Sequence, residues 1–186
     1  INYSNGDRRI MASIIKVDQI QTAAGGTPTA ADLGINAISD YSEFRITSNL
    51  TVTGNTTNDF SSNLTKVISF GDAVTESSGV YTLPSTGYWQ MTGHFRAYTT
   101  AGVVKEIGIQ LMQSTDSGSS FSKISETLDS GDSQYAYASG MITAVVDVTD
   151  ISTFRFKFRA IHSGDVSYVG SSNNQTYFTF KKLRNI

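Results

Sequence analysis

The side chains able to do chemistry are few and scattered. The two histidines, His94 and His162, lie 68 positions apart, and cysteine is absent. Neither histidine has a nucleophile or ligand at motif spacing, so no dyad or zinc site is read. Without cysteine there is no thiol nucleophile, no disulfide framework and no Cys-based zinc site. Serine is abundant, yet no Gly-x-Ser-x-Gly elbow occurs, and Ser139-Gly140 falls inside a strand pattern. Paired carboxylates can hydrolyse glycosides. Asp116, Asp129, Asp132, Asp147 and Asp150 instead fall in or near turn-like sequence, where Asp serves the backbone. The chain is therefore read as no enzyme, with no catalytic residue and no cofactor. The one metal candidate is calcium: Asp129 and Asp132 with nearby carbonyls supply hard oxygen ligands, although no loop matches an EF-hand.

Binding chemistry is better represented. Arg155, Lys157 and Arg159 alternate with Phe154, Phe156, Phe158 and Ala160. Such a ladder reads either as a solvated face that blunts strand pairing or as a contact for an anionic ligand such as bacterial surface glycan. Tyr135, Tyr137, Tyr168 and Tyr177 are candidates for stacking on sugar rings, and core or subunit packing explains them equally well. Asn-x-Ser/Thr triplets at Asn2, Asn49, Asn55, Asn63 and Asn174 are expected by chance in a chain this rich in Asn, Ser and Thr.

These residues must be positioned by strands. The chain has 186 residues, 39% hydrophobic and 16% charged, with 9 Tyr, 10 Phe and 16 Gly. That suits one core built from many short strands and tight turns. A net charge of −2 argues against a nucleic-acid-binding surface, and no apolar run approaches the length of a membrane helix. Residues 1–10 read as a non-native or frayed extension, because Met11-Ala12-Ser13 resembles a natural start. Residues 11–39 form a short attachment segment: a β-prone stretch at 14–20, a breaker around Gly25-Gly26, and one helical turn at 29–34. It is too short to own a core, so Ile14, Ile15, Val17, Ile20, Leu33 and Ile35 are expected to dock on something else.

From 40 to 186 the pattern is strand after strand. Alternation puts Trp89, Met91, Gly93, Phe95 and Ala97 on one face of 88–99, with His94 and Arg96 on the other. Strands are also expected at 43–46, 50–52, 65–70, 103–112, 121–128, 134–148, 153–161, 166–169 and 176–183. Residues 53–63 read as a polar loop and 129–132 as a tight turn. In 103–112, Val103, Ile107, Ile109 and Leu111 share one side. The mostly apolar run 134–148 suits a strand buried on both faces or at a subunit interface. The expected class is all-β, a jelly-roll sandwich.

Two blocks carry a family resemblance. Gly79-x-Tyr81-x-x-Pro84-x-x-Gly87-x-Trp89, running on to Phe95, resembles the head domain of complement component one q and its tumour-necrosis-factor-like relatives. The chain end, Gly164 to Val169 followed by Thr176-Tyr177-Phe178-Thr179-Phe180, is similar to that family's closing strands, with Thr179 where a Gly is usual. The resemblance implies a trimeric jelly roll that binds and does not catalyse. At the front, Met11 to Gln21 followed by a Gly-rich turn resembles the start of virion structural proteins of marine tailed phages, where a short module attaches a small head to the particle.

The resulting expectation is a homotrimeric virion structural protein, assembled in the host bacterial cytoplasm. It would dock to other virion proteins through residues 11–35 and serve as a tail-fibre head or capsid decoration. Host-surface binding would use loops 53–63, 114–120, 129–134 and 170–175, presented together. The alternatives are a secreted complement-like or lectin-like domain and, below it, a glycan-degrading tail protein.

Overall fold

The computed structural model describes residues 38–184, which fall within one compact unit. The extension, the helical turn at 29–34 and the six expected docking residues lie outside the described residues. Thirteen strands make up the described fold: β1 (Tyr41–Ile46), β2 (Leu50–Val52), β3 (Thr56–Asp59), β4 (Leu64–Phe70), β5 (Thr75–Ser77), β6 (Val80–Thr82), β7 (Gly87–Thr99), β8 (Val104–Ser114), β9 (Ser122–Gly131), β10 (Tyr137–Val148), β11 (Arg155–His162), β12 (Val166–Tyr168) and β13 (Tyr177–Arg184).

They pair antiparallel into two sheets. The front sheet runs β10-β7-β13-β1-β4, with β12 and then β2 filling in beside the upper end of β7. The back sheet runs β9-β8-β11, and β6 and β3 share the far edge of β11. β5 lies outside β6. The all-β sandwich expected from the alternation is what forms.

The core is aromatic because the period-2 pattern of β7, β11 and β13 aims Phe and Trp inward from both sheets. Trp89, Phe95, Phe156, Phe158, Phe178 and Phe180 are fully buried. Phe158 of the back sheet stacks on Phe178 of the front sheet at 4.2 Å between ring centres. Gly93 makes that possible: a Cβ there would come within 2.7 Å of the Phe158 ring. Fully burying one such side chain contributes about 1.5–3 kcal/mol.

Several local expectations need correction. β9 continues through Gly131, so 129–131 is strand rather than turn. The strand expected from 134 begins at Tyr137, and only one of its faces is covered: Ala138, Ile142 and Val148 are buried while Tyr137, Met141 and Val145 are exposed. Val104, not Val103, joins the inward row, because the pairing of β8 with β9 slips between Val104 and Ile107. The polar segment 53–63 contains β3, which pairs with the end of β11. Its Thr and Asn side chains hid it from a hydrophobicity pattern.

Candidate functional site

The outward face of the front sheet is set by register. One row runs Phe70, Tyr41, Lys181, Gln90, Val145 across the five strands. The next runs Ile68, Glu43, Thr179, Thr92, Thr143, and a third runs Thr65, Arg45, Tyr177, His94, Met141. The centre of this face is polar. Thr92 and Thr143 hydroxyls meet at 3.1 Å. The Glu43 carboxylate accepts from the Tyr41 hydroxyl at 2.8 Å and from the Asn174 amide. Burial first, then this carboxylate, pushes the Tyr41 hydroxyl well above its usual range. His94 stacks on Tyr177 at 5.2 Å, and its Nδ1–H donates to the Gln175 carbonyl at 2.8 Å.

The two edges of the same face are apolar and exposed. On β10, Met141 is 60% and Val145 56% exposed; on β4, Ile68 is 51% and Phe70 47% exposed. Four strand spacings of ~4.8 Å put these edges roughly 19 Å apart. Among the described residues no ion pair crosses this face.

The back face is finished differently. Asp59 of β3 accepts from Lys157 Nζ at 2.7 Å and from Arg159 Nε at 2.8 Å. Burial opposes ionisation of Asp59, but these two hydrogen bonds prevail and hold its carboxyl below the usual range. Beside them Gln110 donates to Glu126 at 2.5 Å, and Lys123 pairs with Glu126 at 3.0 Å. Lys157 also lies 4.3 Å over the Phe121 ring. Arg155 donates to the Ile151 and Phe154 carbonyls. The ladder Arg155, Lys157, Arg159 thus stands on one outward face as the alternation requires, and its cations are already engaged within the chain.

The other singled-out residues are distributed as follows. Asp129 accepts from the Ser130 and Ser139 amides, while Asp132 accepts from the Ser133 hydroxyl at 3.3 Å. Among the described residues no group of three or more His, Asp or Glu converges as a metal site. Asp116 is held by the Ser114 hydroxyl and then by Ser120, which lower its carboxyl to about 2. Tyr168 is buried, with its hydroxyl on the Gly108 and Ile161 carbonyls, so it is a core residue rather than a sugar platform. His162 is buried too. Its Nδ1–H faces the Gly54 and Gly164 carbonyls at 3.0 and 2.8 Å, and its other nitrogen lies 2.9 Å from the Asn58 amide. It ties two loops together and has no access to a substrate.

The four loops expected to act together are divided. Segment 53–55 bonds to Asp165, and 133–136 bonds to the end of β7. Segment 114–120 bonds instead to 152–153, beside the start of β11, at the opposite end of the sandwich. The edge residues Ile68, Phe70, Met141 and Val145 were not singled out by their sequence. The apolar run through 134–148 was the signal that pointed at Met141 and Val145.

No family model and no curated sequence matches this chain. Solved structures do. Murine APRIL matches with a TM-score of 0.55 at 10% identity, covering 77% of this chain and 99% of that one. Eiger TNF from S. frugiperda matches with a TM-score of 0.56 at 11% identity, covering 78% and 93% respectively. At such identities the likeness establishes architecture alone: the described domain shares the jelly-roll fold of these two structures.

Proposed function

We propose that this chain is a non-enzymatic structural and binding protein whose jelly-roll head assembles as a cyclic homotrimer through the outward face of the front sheet. The observation that carries this reading is the pair of unlike apolar edges on one face, Met141 and Val145 on β10 against Ile68 and Phe70 on β4. Full burial of a Met, Val, Ile or Phe is worth about 1.5–3 kcal/mol, and a monomer leaves roughly half of that ungained at each of these half-exposed residues. A face-to-face two-fold stack would cover them but would also bury the Arg45 and Lys181 charges, neither of which is ion-paired among the described residues. A ring that joins the β10 edge of one copy to the β4 edge of the next covers the apolar residues and leaves the polar centre wet, lining the axis.

The closing aromatic strands and the Gly79 to Trp89 block support three as the number of copies, through their resemblance to trimeric heads. Residues 11–21 support placement on a tailed-phage particle, with 11–35 as the docking segment. Sedimentation velocity tests the assembly: a single species near three times the 20.1 kDa chain mass is expected, and a monomer across micromolar concentrations rules it out. Mass spectrometry of purified particles tests the placement, which fails if peptides of this chain are absent from them.

A further inference from the structure

At the upper end of the front sheet an aromatic cluster lies outside the rows that carry the assembly reading. Tyr98 sits 5.7 Å from Tyr137 and 6.4 Å from Tyr135, ring centre to ring centre. Tyr135 and Tyr137 are 65% and 61% exposed, so neither ring packs a core. The Arg96 guanidinium lies 4.5 Å over the Tyr137 ring. Hydrogen-bonding side chains surround the rings: Asn49 donates to the Tyr98 hydroxyl, and Gln134 to the Thr100 carbonyl.

The backbone under Tyr135 is unusual. Its φ is +64°, a region that a bulky L residue rarely enters and Gly enters freely. Thr99 holds it there. The Thr99 carbonyl accepts from the Tyr135 amide at 2.9 Å. The Thr99 hydroxyl accepts from the Ala136 amide at 3.1 Å and donates to the Ser133 carbonyl. A glycine would relax this turn, yet an exposed aromatic ring stands in it. Strain retained at an exposed side chain is a pointer to function.

We propose that Tyr98, Tyr135 and Tyr137, with Arg96, Asn49 and Gln134 around them, bind a pyranose unit of a surface polysaccharide. The C–H face of the sugar lies on the tyrosine rings, and its hydroxyls meet the guanidinium and amides at the rim. The side chains that contact or flank the rings here are a guanidinium and carboxamides, which fits a hydroxyl-rimmed sugar better than an apolar peptide. Rigid tyrosines also bind with little loss of side-chain freedom. This deepens the binding role in the function proposed above and does not depend on the trimer.

The test is an array of bacterial O-antigen and capsular oligosaccharides probed with the full chain, followed by calorimetry on the best binder. A saturable interaction is expected that weakens at least tenfold in Tyr135→Gly and in Tyr137→Ala, while Tyr135→Phe keeps it. Tyr135→Gly removes the ring and relaxes the turn, so its melting temperature is expected to be equal or higher, which separates lost binding from lost folding. Retention of no glycan overturns the proposal, as does a binder that Tyr135→Gly leaves unaffected. Dissociation of the oligomer by Tyr135→Gly also overturns it, because the ring then belongs to a subunit contact.

Discussion

The two outward faces of the sandwich are built on the same scaffold and solve opposite problems. The back face satisfies itself. Asp59 bridges Lys157 and Arg159, Glu126 holds Gln110 and Lys123, and an aromatic ring lies under Lys157. The front face has a Thr-rich centre, no ion pair among the described residues, and bare Met, Val, Ile and Phe at its two edges. The back face also exposes apolar residues, Ile124 and Leu128 on β9, but beside a charge network; the front face exposes them at two opposite edges of a sheet face that carries no ion pair among the described residues. The difference lies in which strand neighbours the register brings together.

The sharpest way to break this comparison is to charge each front edge separately. Met141→Asp with Val145→Asp should give monomers, and so should Ile68→Asp with Phe70→Asp, read as about a threefold loss of mass by light scattering. Mixing the two variants should restore a pair, because each still carries the edge the other lacks. The paired substitution Ile124→Asp with Leu128→Asp, exposed residues on the back sheet, should leave the mass unchanged. A variant that self-associates with one edge charged would show that like edges meet, and the ring would be wrong.

Phe158→Ala tests what the two faces share. The ring stacks on Phe178 and touches Tyr81 and Phe180, joining the two sheets. Its truncation should cost about 3–5 kcal/mol, seen as a lower denaturant midpoint. A cost below about 1 kcal/mol would mean that the sheets are held together elsewhere. This part of the molecule was legible in sequence. Phe154 to Ala160 and Trp89 to Ala97 alternate so strictly that inward and outward faces can be assigned from spacing alone. What alternation cannot say is what covers a face. Met141 and Val145 share a parity with Ser139 and Thr143, and only the pairing of β10 with β7 at the open edge shows them bare. Likewise the bulge opposite Glu43 and Phe44 sets the side on which Ile68 and Phe70 emerge, and slips of pairing leave no mark in residue type. Asp129 looked like a turn residue because Asp is common there; here it accepts from the Ser139 amide across the gap between β9 and β10.

The back-face network predicts acid sensitivity with a definite sign. The carboxyls of Asp59 and Glu126 in that network, and of Asp116 in the loop after β8, are all lowered in the folded chain. A lowered folded-state value means the stabilisation is complete above the unfolded value of about 4 and is lost as pH falls through the folded one. Unfolding free energy should therefore fall between about pH 4 and about pH 2. Asp59→Asn should lose about 1–2 kcal/mol near neutral pH, a figure discounted for the partial exposure of Asp59, and should show a shallower decline on acidification. An unchanged acid limb in Asp59→Asn would detach the ladder from stability.

The smallest expected effect concerns Tyr81, which touches neither outward face. Its ring is fully buried between the sheets, 4.6 Å from Phe180 and 5.0 Å from Phe44. Its hydroxyl is buried without a hydrogen-bond partner, and burial raises its ionisation well above the usual range. An unpaired buried hydroxyl forfeits its hydration and gains nothing in return, a cost of about 1–3 kcal/mol. Tyr81→Phe keeps the ring and every aromatic contact while removing that oxygen. It should stabilise the domain by about 1 kcal/mol, a rise of a few degrees in melting temperature, with oligomeric mass unchanged. Because the substitution reaches both sheets but neither surface, it separates the strength of the sandwich from the difference between its faces. A loss of stability would mean that the hydroxyl meets ordered water in the core, and its cost would then have to be reassigned.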